Sequence, residues 1–325
     1  MKPVDKPAAS ARRIADGQSA GRSATEKSEM TTRSIRRMSE SKPTTEGAGV
    51  RLHRAFGYHD APQFDPFLLL DDFRSDVPED YAAGFPWHPH RGIETITYVL
   101  RGDVEHMDSL GNRGTISSGD IQWMTAGSGI VHREMPKGDG RGRMHGFQLW
   151  ANLPHRRKMM DPRYRDVKRA DTPEAVLENG VRIRIVCGRV AGLEGPVRDI
   201  VTDPEYLDVT VPPRTEFVHP TKRGHTALAY TIDGSGRFGA QDGDEKPGIP
   251  PAGNRSLVLF NDGDRMAVSA GAEGIRFLFF SGIPLGEPVA WFGPIAMNTD
   301  DELRTAFEEY RNGTFIKRGS GSPRL

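Results

Sequence analysis

The spacing of glycine turns between about residues 74 and 152 is the feature that most constrains the fold. Short runs of apolar and β-branched residues alternate there with turns at Gly102, Gly111 and Gly119. No part of this stretch repeats apolar residues with a helical period over a useful length. The pattern is typical of an all-β sandwich or barrel. The 37 glycines and 24 prolines among the 325 residues also favour strands and turns over a helical bundle.

Two histidine motifs lie on strand-like runs of this stretch. His88 and His90 flank a proline, and further along the chain His132 and Glu134 flank an arginine. Because side chains at i and i+2 of a strand share a face, each pair can point in one direction. Three imidazoles and a carboxylate form a first-row metal site with coordination positions left open. A structural zinc site would instead have four closed ligands, often cysteines, and Cys187 is the only cysteine.

The alternation of residue types predicts which side of the first strand is buried. His88 and His90 have the same parity as Ile96, Tyr98 and Leu100. The expected arrangement is therefore one strand whose inner face carries the ligands at the bottom of an apolar cup. The alternative is that these histidines are unrelated surface or core residues.

Charge and hydropathy exclude several classes of function. The chain has 44 basic and 44 acidic residues, so its formal net charge is zero. This balance gives no electrostatic reason to expect nucleic acid or a membrane as the main partner. No apolar run approaches the roughly 20 residues of a membrane span. A single cysteine, Cys187, rules out an intrachain disulfide framework and fits a reducing compartment, so we expect a cytoplasmic protein.

The N-terminal residues 1–47 are predicted to be a disordered tail. They contain no aromatic residue and no leucine, and they carry ten Lys or Arg against six Asp or Glu. Such a segment cannot bury enough apolar surface to offset the entropy lost on ordering. Met30 is a possible initiator, which would leave residues 1–29 untranslated.

The remaining chain is divided into four parts. We expect a metal-binding β-barrel over residues 48–153, a connector over 154–180 and a second barrel over 181–290. A C-terminal helix and tail occupy 291–325, with the helix over DDELRTAFEEY, Asp300 to Tyr310, capped near Asn298 or Thr299. The sequence from Gly274 to Ser281 predicts a buried strand of the second barrel, with Phe277 and Phe279 filling its interior.

A weak internal repeat relates the two barrels. YVLRG at 98–102 resembles YTIDG at 230–234. At the same offset, His88 and His90 correspond to Pro220 and Lys222, so the second barrel is predicted to lack the metal. His219 and His225 lie nearby, but their spacing differs from that of the first motif, and we do not expect them to be ligands.

The motifs HPHRGIETITYVL, GDIQWMTAGSGIVHREMP and HGFQLWANLP together resemble the pirin family of the cupin superfamily. The segments DPFLLLDDF and GPIAMNT fit the same family, and the likeness extends over roughly residues 49 to 312. It implies an all-β bicupin, with two antiparallel cupin or jelly-roll barrels face to face. It also implies a metal in the N-terminal barrel only.

The resemblance implies a ligand set of His88, His90, His132 and Glu134, with ferrous iron as the metal. The same donors accept Mn, Co, Ni, Cu or Zn, so the residues themselves do not determine the element. Ordinary cupins take their carboxylate from the first motif, where Glu94 stands. The pirin pattern uses Glu134 instead, which leaves Glu94 a supporting or structural role.

Some pirins resemble quercetin 2,3-dioxygenases in activity, which implies cleavage of a flavonol with O2. Glu134 would then serve as the base that takes the substrate proton, and Trp123, Met124 and Gln148 are candidates for the substrate cavity. The alternative function is a non-catalytic regulatory protein that senses iron or its redox state and binds a transcriptional or metabolic partner. A carbohydrate-binding or isomerase cupin is a third possibility, although such proteins usually keep the first-motif glutamate as a ligand.

Overall fold

The computed structural model describes residues 30–239 and 249–317, which form 24 β-strands and two α-helices. The strands up to residue 152 are β1 (Ile35–Glu40), β2 (Lys42–Glu46), β3 (Val50–Phe56), β4 (Phe67–Asp72), β5 (Phe85–His90), β6 (Ile93–Arg101), β7 (Asp103–Asp108), β8 (Arg113–Ile116), β9 (Ile121–Thr125), β10 (Ile130–Lys137) and β11 (His145–Asn152). The later strands are β12 (Arg163–Val167), β13 (Glu174–Val176), β14 (Arg182–Cys187), β15 (Arg189–Val190), β16 (Leu193–Glu194), β17 (Glu205–Val211), β18 (Glu216–Pro220), β19 (Thr226–Phe238), β20 (Ala252–Gly253), β21 (Ser256–Phe260), β22 (Arg265–Gly282), β23 (Ala290–Phe292) and β24 (Ile295–Met297). The helices are α1 (Ala61–Phe64) and α2 (Asp300–Arg311).

The first barrel is built from two antiparallel sheets. Seven strands are ordered β12-β9-β6-β11-β4-β3-β2, and four are ordered β5-β10-β7-β8. Apolar side chains from both sheets, such as Leu52, Val99 and Val104, form one cluster between them. The four-stranded sheet carries both histidine motifs.

The second barrel is one curled sheet of nine strands. Its main order is β1-β21-β19-β22-β17-β14-β13, with β18 paired to β22 and β20 paired to β19. Phe277 and Phe279 are fully buried in its interior cluster together with Leu207 and Val209. The prediction that these phenylalanines fill the second barrel is confirmed.

The two barrels pack face to face, the first through its seven-stranded sheet and the second through one side of its curled sheet. One buried cluster contains Ile96 and Tyr98 of the first barrel together with Tyr206, Leu228 and other residues of the second. Alternation explains the contact, because odd residues of β17 fill the second barrel while even ones face the first. The bicupin architecture expected from the sequence is therefore present.

The predicted disordered tail is wrong for residues 31–47. Strand β1 pairs with β21 at the edge of the second barrel, and β2 pairs with β3 of the first. Arg33 is buried and donates to the carbonyl oxygens of Lys222, His225 and Asn261. Tertiary pairing therefore orders a segment whose composition alone predicts disorder. The prediction for residues 1–29 concerns residues outside those that the structure describes.

The predicted connector, residues 154–180, contributes a strand to each barrel. Strand β12 extends the seven-stranded sheet beside β9, whereas β13 pairs with β14 of the second barrel. The predicted C-terminal helix is confirmed. Thr299 caps α2 through a reciprocal hydrogen-bond pair with Glu302. Over residues 30–239 and 249–317, neither helix is long and apolar enough to span a membrane.

Candidate metal centre

Strand pairing brings the two histidine motifs together. In the antiparallel register of β10 and β5, His132 lies directly opposite His88, and Ile130 lies opposite His90. Side chains directly opposite one another on adjacent strands are close neighbours. The ring centroids of the three histidines are accordingly 4.4 to 5.0 Å apart.

The predicted apolar cup is wrong in one respect. His88 and His90 end β5, and a turn at Gly92, with φ +77°, separates them from β6 in the other sheet. The alternation of side-chain faces along β5 therefore does not continue into β6. Ile96 and Tyr98 therefore face the second barrel, and it is Thr97 on the opposite face that points toward the histidine motif.

Backbone carbonyls set the tautomers of two of the rings. Nδ1 of His88 lies 2.8 Å from the carbonyl oxygen of Pro86, and Nδ1 of His90 lies 3.0 Å from that of Pro294. Since a carbonyl oxygen only accepts, each Nδ1 donates, and a neutral ring then carries its lone pair on Nε2. Nε2 of His88 is 3.0 Å from Nε2 of His90 and 2.9 Å from Nε2 of His132.

These spacings fit a shared cation. Two donors bonded to one ion at about 2.1 Å lie about 3.0 Å apart when they subtend a right angle. The facing lone pairs of His88 and His90 repel each other unless a positive charge lies between them. His88, His90 and His132 therefore form a group that can hold a metal ion, with their ligand atoms mutually within 4.8 Å.

Burial keeps two of the rings available as ligands. Burial lowers the pKa of His90 well below its ordinary value, and the nearby rings of His88 and His132 lower it further. The pKa of His132 is lowered in the same way by burial and by its histidine neighbours. Both rings are therefore neutral near pH 7, which is the form that binds a metal. His88 is only partly buried, so the cluster reaches the protein surface at this ring.

The Glu134 carboxylate lies beside the cluster and outside the group of mutually close ligand atoms. Its Oε2 is 4.0 Å from Nε2 of His132. Gln148 donates to this oxygen at 3.1 Å, and Thr97 donates to Oε1 at 3.2 Å. A β-bulge between His132 and Glu134 shifts the register of β10 against β5, and bulges commonly redirect side chains near functional sites.

Glu94, the alternative carboxylate, has a different environment. It is buried, its Oε1 accepts from the Thr125 hydroxyl at 2.6 Å, and burial raises its pKa. As an even residue of β6 it shares the face of Ile96 and Tyr98. It is therefore directed away from the histidines, as expected for a structural role.

The three predicted cavity residues are divided between two faces. Gln148 contacts Glu134, and Met124 belongs to the apolar cluster that also contains Ile130 of the histidine-bearing strand. Trp123 instead packs in the apolar cluster between the two barrels, on the face of β9 that points away from the histidines. The alternation of β9 causes this difference, because adjacent residues of a strand have opposite faces.

Trp150 was missed by the sequence reasoning. Its ring centroid is 5.0 Å from that of His90, and its Nε1 donates to Oε1 of Gln148 at 2.9 Å. This contact fixes the Gln148 amide with its Nε2 toward Glu134. The signal was available, because Trp150 is the i+2 neighbour of Gln148 on the same strand face.

Residues 290–317, which we call the C-terminal arm, pack against the histidine cluster. Besides the Pro294 carbonyl, the arm receives three side-chain contacts from Arg91, which is buried: an ion pair with Glu309 at 2.8 Å, a hydrogen bond to the Phe315 carbonyl and a stacking contact with the Phe315 ring. Gly92 permits this approach, since a Cβ there would lie 2.0 Å from the Ala296 carbonyl oxygen.

Lys158 makes a second link between the turn after His90 and the C-terminal arm. Its buried ammonium donates to the carbonyl oxygens of Gly92 and Ala296 and to the Asn152 side chain, at 2.6 to 2.9 Å. Burial lowers the pKa of Lys158 to about 7. The residue therefore ties the turn after His90 to the C-terminal arm.

The space beside Glu134 is small. A cavity of about 20 Å³ is lined by Thr97, Glu134, Gln148 and neighbouring apolar residues. This is room for about one water molecule and too little for an aromatic substrate. A larger ligand must therefore approach the histidines from the surface side, where His88 is partly exposed.

The second barrel contains a different polar group. His219 is buried and its Nε2 lies 3.1 Å from Oε1 of Glu205, whose Oε2 accepts from Ser281 at 3.0 Å. A pairing of this kind satisfies a buried histidine without a metal. His225 lies 3.9 Å from Asp203, which is a different carboxylate from the Glu205 that His219 contacts.

Comparison with known proteins agrees with this architecture. The Pirin family model matches residues 49–151, and the model of the pirin C-terminal cupin domain matches residues 206–316. A pirin-like protein of Caulobacter vibrioides is 41% identical over 287 residues, covering 88% of this chain and 100% of the relative. A Pseudomonas aeruginosa protein, provisionally named a quercetin 2,3-dioxygenase, is 41% identical over 275 residues, covering 83% of this chain and 94% of the relative.

A solved structure shows the same fold. The crystal structure of quercetin 2,3-dioxygenase from Acinetobacter baumannii superposes with a TM-score of 0.78 at 29% identity, and the match covers 88% of this chain and 99% of the other. The two family models and this structure together cover both barrels of the fold. The chain belongs to the pirin family, whose members are cupins with two barrels.

Proposed function

We propose that this protein is a metal-dependent oxygenase of the quercetin 2,3-dioxygenase type, with ferrous iron held by His88, His90 and His132. The convergence of three Nε2 atoms, two of them with tautomers set by carbonyls, is the observation that carries the proposal. The names of similar proteins support the choice of reaction. When bound, ferrous iron supplies redox chemistry with O2 and open coordination positions.

Glu134 has two proposed roles, as the fourth ligand and as the base that removes the flavonol 3-hydroxyl proton. Two donors that share one ion through bonds of about 2.1 Å cannot lie more than about 4.2 Å apart. The separation of 4.0 Å between Glu134 Oε2 and His132 Nε2 is compatible with one shared ion. Gln148 and Thr97 donate to the carboxylate and so fix its orientation beside His132.

The substrate is proposed to enter from the side of His88. The cavity beside Glu134 is too small for a flavonol. Trp150 and Met124 lie on the apolar side of the histidine cluster, where they would limit how deeply an aromatic ring can enter the site. We therefore expect the 3-hydroxyl edge of the flavonol to point inward and its remaining rings to stay near the surface.

Oxygen uptake by the iron-loaded protein tests this function. Consumption of O2 is expected with a flavonol that has a free 3-hydroxyl and not with the matched flavone lacking it. Glu134→Gln should keep part of the metal binding and lower turnover by about a hundredfold or more, since general-base catalysis contributes this much. Glu94→Gln is the control, because Glu94 is also a buried carboxylate but contacts Thr125 instead of the histidine cluster.

An unchanged rate in Glu134→Gln would remove this residue from proton transfer. No turnover with any flavonol at full ferrous occupancy would favour the second candidate, a regulatory protein that binds a partner. One observation favours this regulatory candidate. Trp87, next to His88, is exposed, and the Arg133 guanidinium lies 5.7 Å from its ring centroid, so the two side chains offer a contact surface for a protein partner.

A further inference from the structure

An open groove of about 700 Å³ lies between the two barrels, on strands β2 and β3 and the turn between β20 and β21. Its volume is typical of sites for small molecules. Its lining includes three arginines, two histidines and two aspartates. None of the lining residues belongs to the histidine cluster or hydrogen-bonds to it, so the groove is a separate feature of the molecule.

Among the residues that the structure describes, the Arg255 guanidinium shares its nearest carboxylate, that of Asp72, with Arg74. Its Nη1 donates to Nε2 of His53 at 2.8 Å, and the nearest carboxylate oxygen, Oδ2 of Asp72, is 3.8 Å from its Nε. That aspartate already accepts three hydrogen bonds from Arg74, two of them from its guanidinium, and one from Tyr230. Within residues 30–239 and 249–317, two guanidinium groups therefore face one carboxylate, which leaves a net positive charge, and the Arg255 side chain is one-third exposed.

The ring proton of His53 has no acceptor among the described residues. Because arginine only donates, Nε2 of His53 must accept from Arg255, which leaves the ring proton on Nδ1. Within residues 30–239 and 249–317, neither Nδ1 of His53 nor Nε of Arg255 has a hydrogen-bond partner. Both of these atoms are shielded from solvent, so a ligand in the groove reaches the guanidinium at its remaining nitrogen, Nη2, while the His53 contact holds Nη1 in place.

The backbone of Arg255 is also held in an unusual conformation. Its φ is +68°, in the left-handed region that favours glycine. Hydrogen bonds on both sides, from its N–H to Thr231 and from the Ser41 N–H to its carbonyl, maintain this conformation. Non-glycine residues in such conformations cost of order 1 kcal/mol or more and are concentrated at ligand sites.

We propose that this groove binds a small organic anion, whose carboxylate or phosphate oxygens accept from the accessible edge of the Arg255 guanidinium. Arg51 gives a second cation at the rim, with a side chain 76% exposed and one contact of 3.3 Å to Asp80. Asp76 and Asp80 in the same lining oppose a polyanion. A compact anion therefore fits the groove better than a nucleic acid does.

Calorimetric titration of the metal-loaded protein tests this proposal, with inorganic phosphate and succinate as probes at constant ionic strength. We expect saturable binding of at least one probe at one site per chain. Preference for phosphate would identify a phosphoryl ligand, and preference for succinate would identify a carboxylate. Absence of saturable binding of either probe up to about 10 mM would overturn the proposal, since a specific small-anion site should exceed this affinity.

Arg255→Gly is the decisive variant, because glycine suits the left-handed backbone and the fold should be retained. It should weaken anion binding by at least about tenfold, the loss expected for a charged hydrogen-bonding partner. Arg214→Gly is the matched control, since Arg214 is exposed, has φ +53° and lies outside the groove. Equal binding by the two variants would contradict the assignment.

Two further variants cover the remaining outcomes. If Arg255→Gly does not fold, Arg255→Lys should bind the probe more weakly than the parent, because it keeps the charge and loses the planar pair of donors. His88→Ala should retain anion binding, whereas a probe that binds the metal directly would lose it. Loss of binding in His88→Ala together with full binding in Arg255→Lys would assign the anion to the metal centre and refute the groove site.

Discussion

At the scale of single residues, backbone carbonyls determine what the histidine cluster can bind. The oxygens of Pro86 and Pro294 take the Nδ1 protons of His88 and His90, so that both Nε2 atoms are free to bind a metal. Outer contacts of this kind fix ring orientation in metal sites and raise ligand basicity. Burial of His90 and His132 adds to the effect by favouring the neutral rings.

The contribution of His132 can be measured against another buried histidine. His132→Ala should remove the stoichiometric metal binding of the protein, because it leaves two imidazoles and no third nitrogen. His106→Ala is the matched control, since His106 is buried, faces Glu134 in the register of β7 and β10, and contacts Gln122 rather than the cluster. Metal analysis after dialysis gives the stoichiometry, and far-ultraviolet circular dichroism checks the fold.

A full metal equivalent in His132→Ala would show that the ion lies elsewhere. Loss of the metal in both variants, with the fold intact, would mean that His106 also contributes to the site.

At the scale of elements, the C-terminal arm is part of the metal centre although it is distant in sequence. Arg91 links the turn after His90 to α2 through Glu309 and to the end of the arm through the Phe315 carbonyl. Lys158 makes a parallel link between Gly92 and Ala296. The arm therefore determines where the Pro294 carbonyl lies and, through it, the orientation of His90.

Arg91→Met is expected to loosen this arm. Removing the guanidinium leaves the Ser128 and Phe315 carbonyls without this donor and leaves Glu309 paired with Lys317 alone, and the free energy of unfolding should fall by about 2–4 kcal/mol. Metal affinity should fall by about tenfold, because a displaced Pro294 no longer orients His90. Urea unfolding and metal titration measure the two effects.

Glu309→Gln is the control for the charge, since it removes the ion pair and keeps a hydrogen-bond acceptor. The carboxylate is 23% exposed, so we expect a loss of only about 1 kcal/mol and unchanged metal affinity. Metal binding by Arg91→Met equal to that of the parent would show that the arm does not position His90.

At the scale of the whole molecule, the two barrels exchange equivalent contacts. Tyr98 of the first barrel donates to Asp208 of the second at 2.7 Å, and Tyr230 of the second donates to Asp72 of the first at 2.8 Å. Each aspartate also forms a bidentate pair with an arginine of its own barrel, Arg276 and Arg74 respectively. The weak repeat in the sequence thus corresponds to a reciprocal interface.

These tyrosine hydroxyls should stabilise the assembly of the two barrels. Tyr98→Phe and Tyr230→Phe should each lower the free energy of unfolding by about 2 kcal/mol, the usual value for a buried hydrogen bond to a charged group. Tyr206→Phe is the control, because its buried hydroxyl has no partner among the described residues. Its removal should leave stability unchanged or raise it, as equilibrium denaturation of the three variants would show.

Several features were predictable from the sequence because they depend on local geometry. Spacing at i and i+2 along a strand placed His88 with His90, and the capping residues of α2 lie within three positions of one another. Alternation within a strand likewise placed Phe277 and Phe279 in the second barrel. The fourth ligand is still a prediction, because Glu134 lies next to the histidines without belonging to their group of close ligand atoms.

The sequence by itself determined the all-β class, through the spacing of its turns, and the pairing of His88 with His90, through i and i+2 spacing on one strand. The two facing barrels were implied by the internal repeat and by the resemblance to the pirin family. Only the tertiary structure decided that β1 is ordered on β21, that Trp123 faces the second barrel and that Pro294 sets the tautomer of His90. The same holds for the groove, where Arg255 meets His53 from a position 202 residues away. These features depend on which distant segments pack together, and that is decided by the burial of whole sheets rather than by any local pattern.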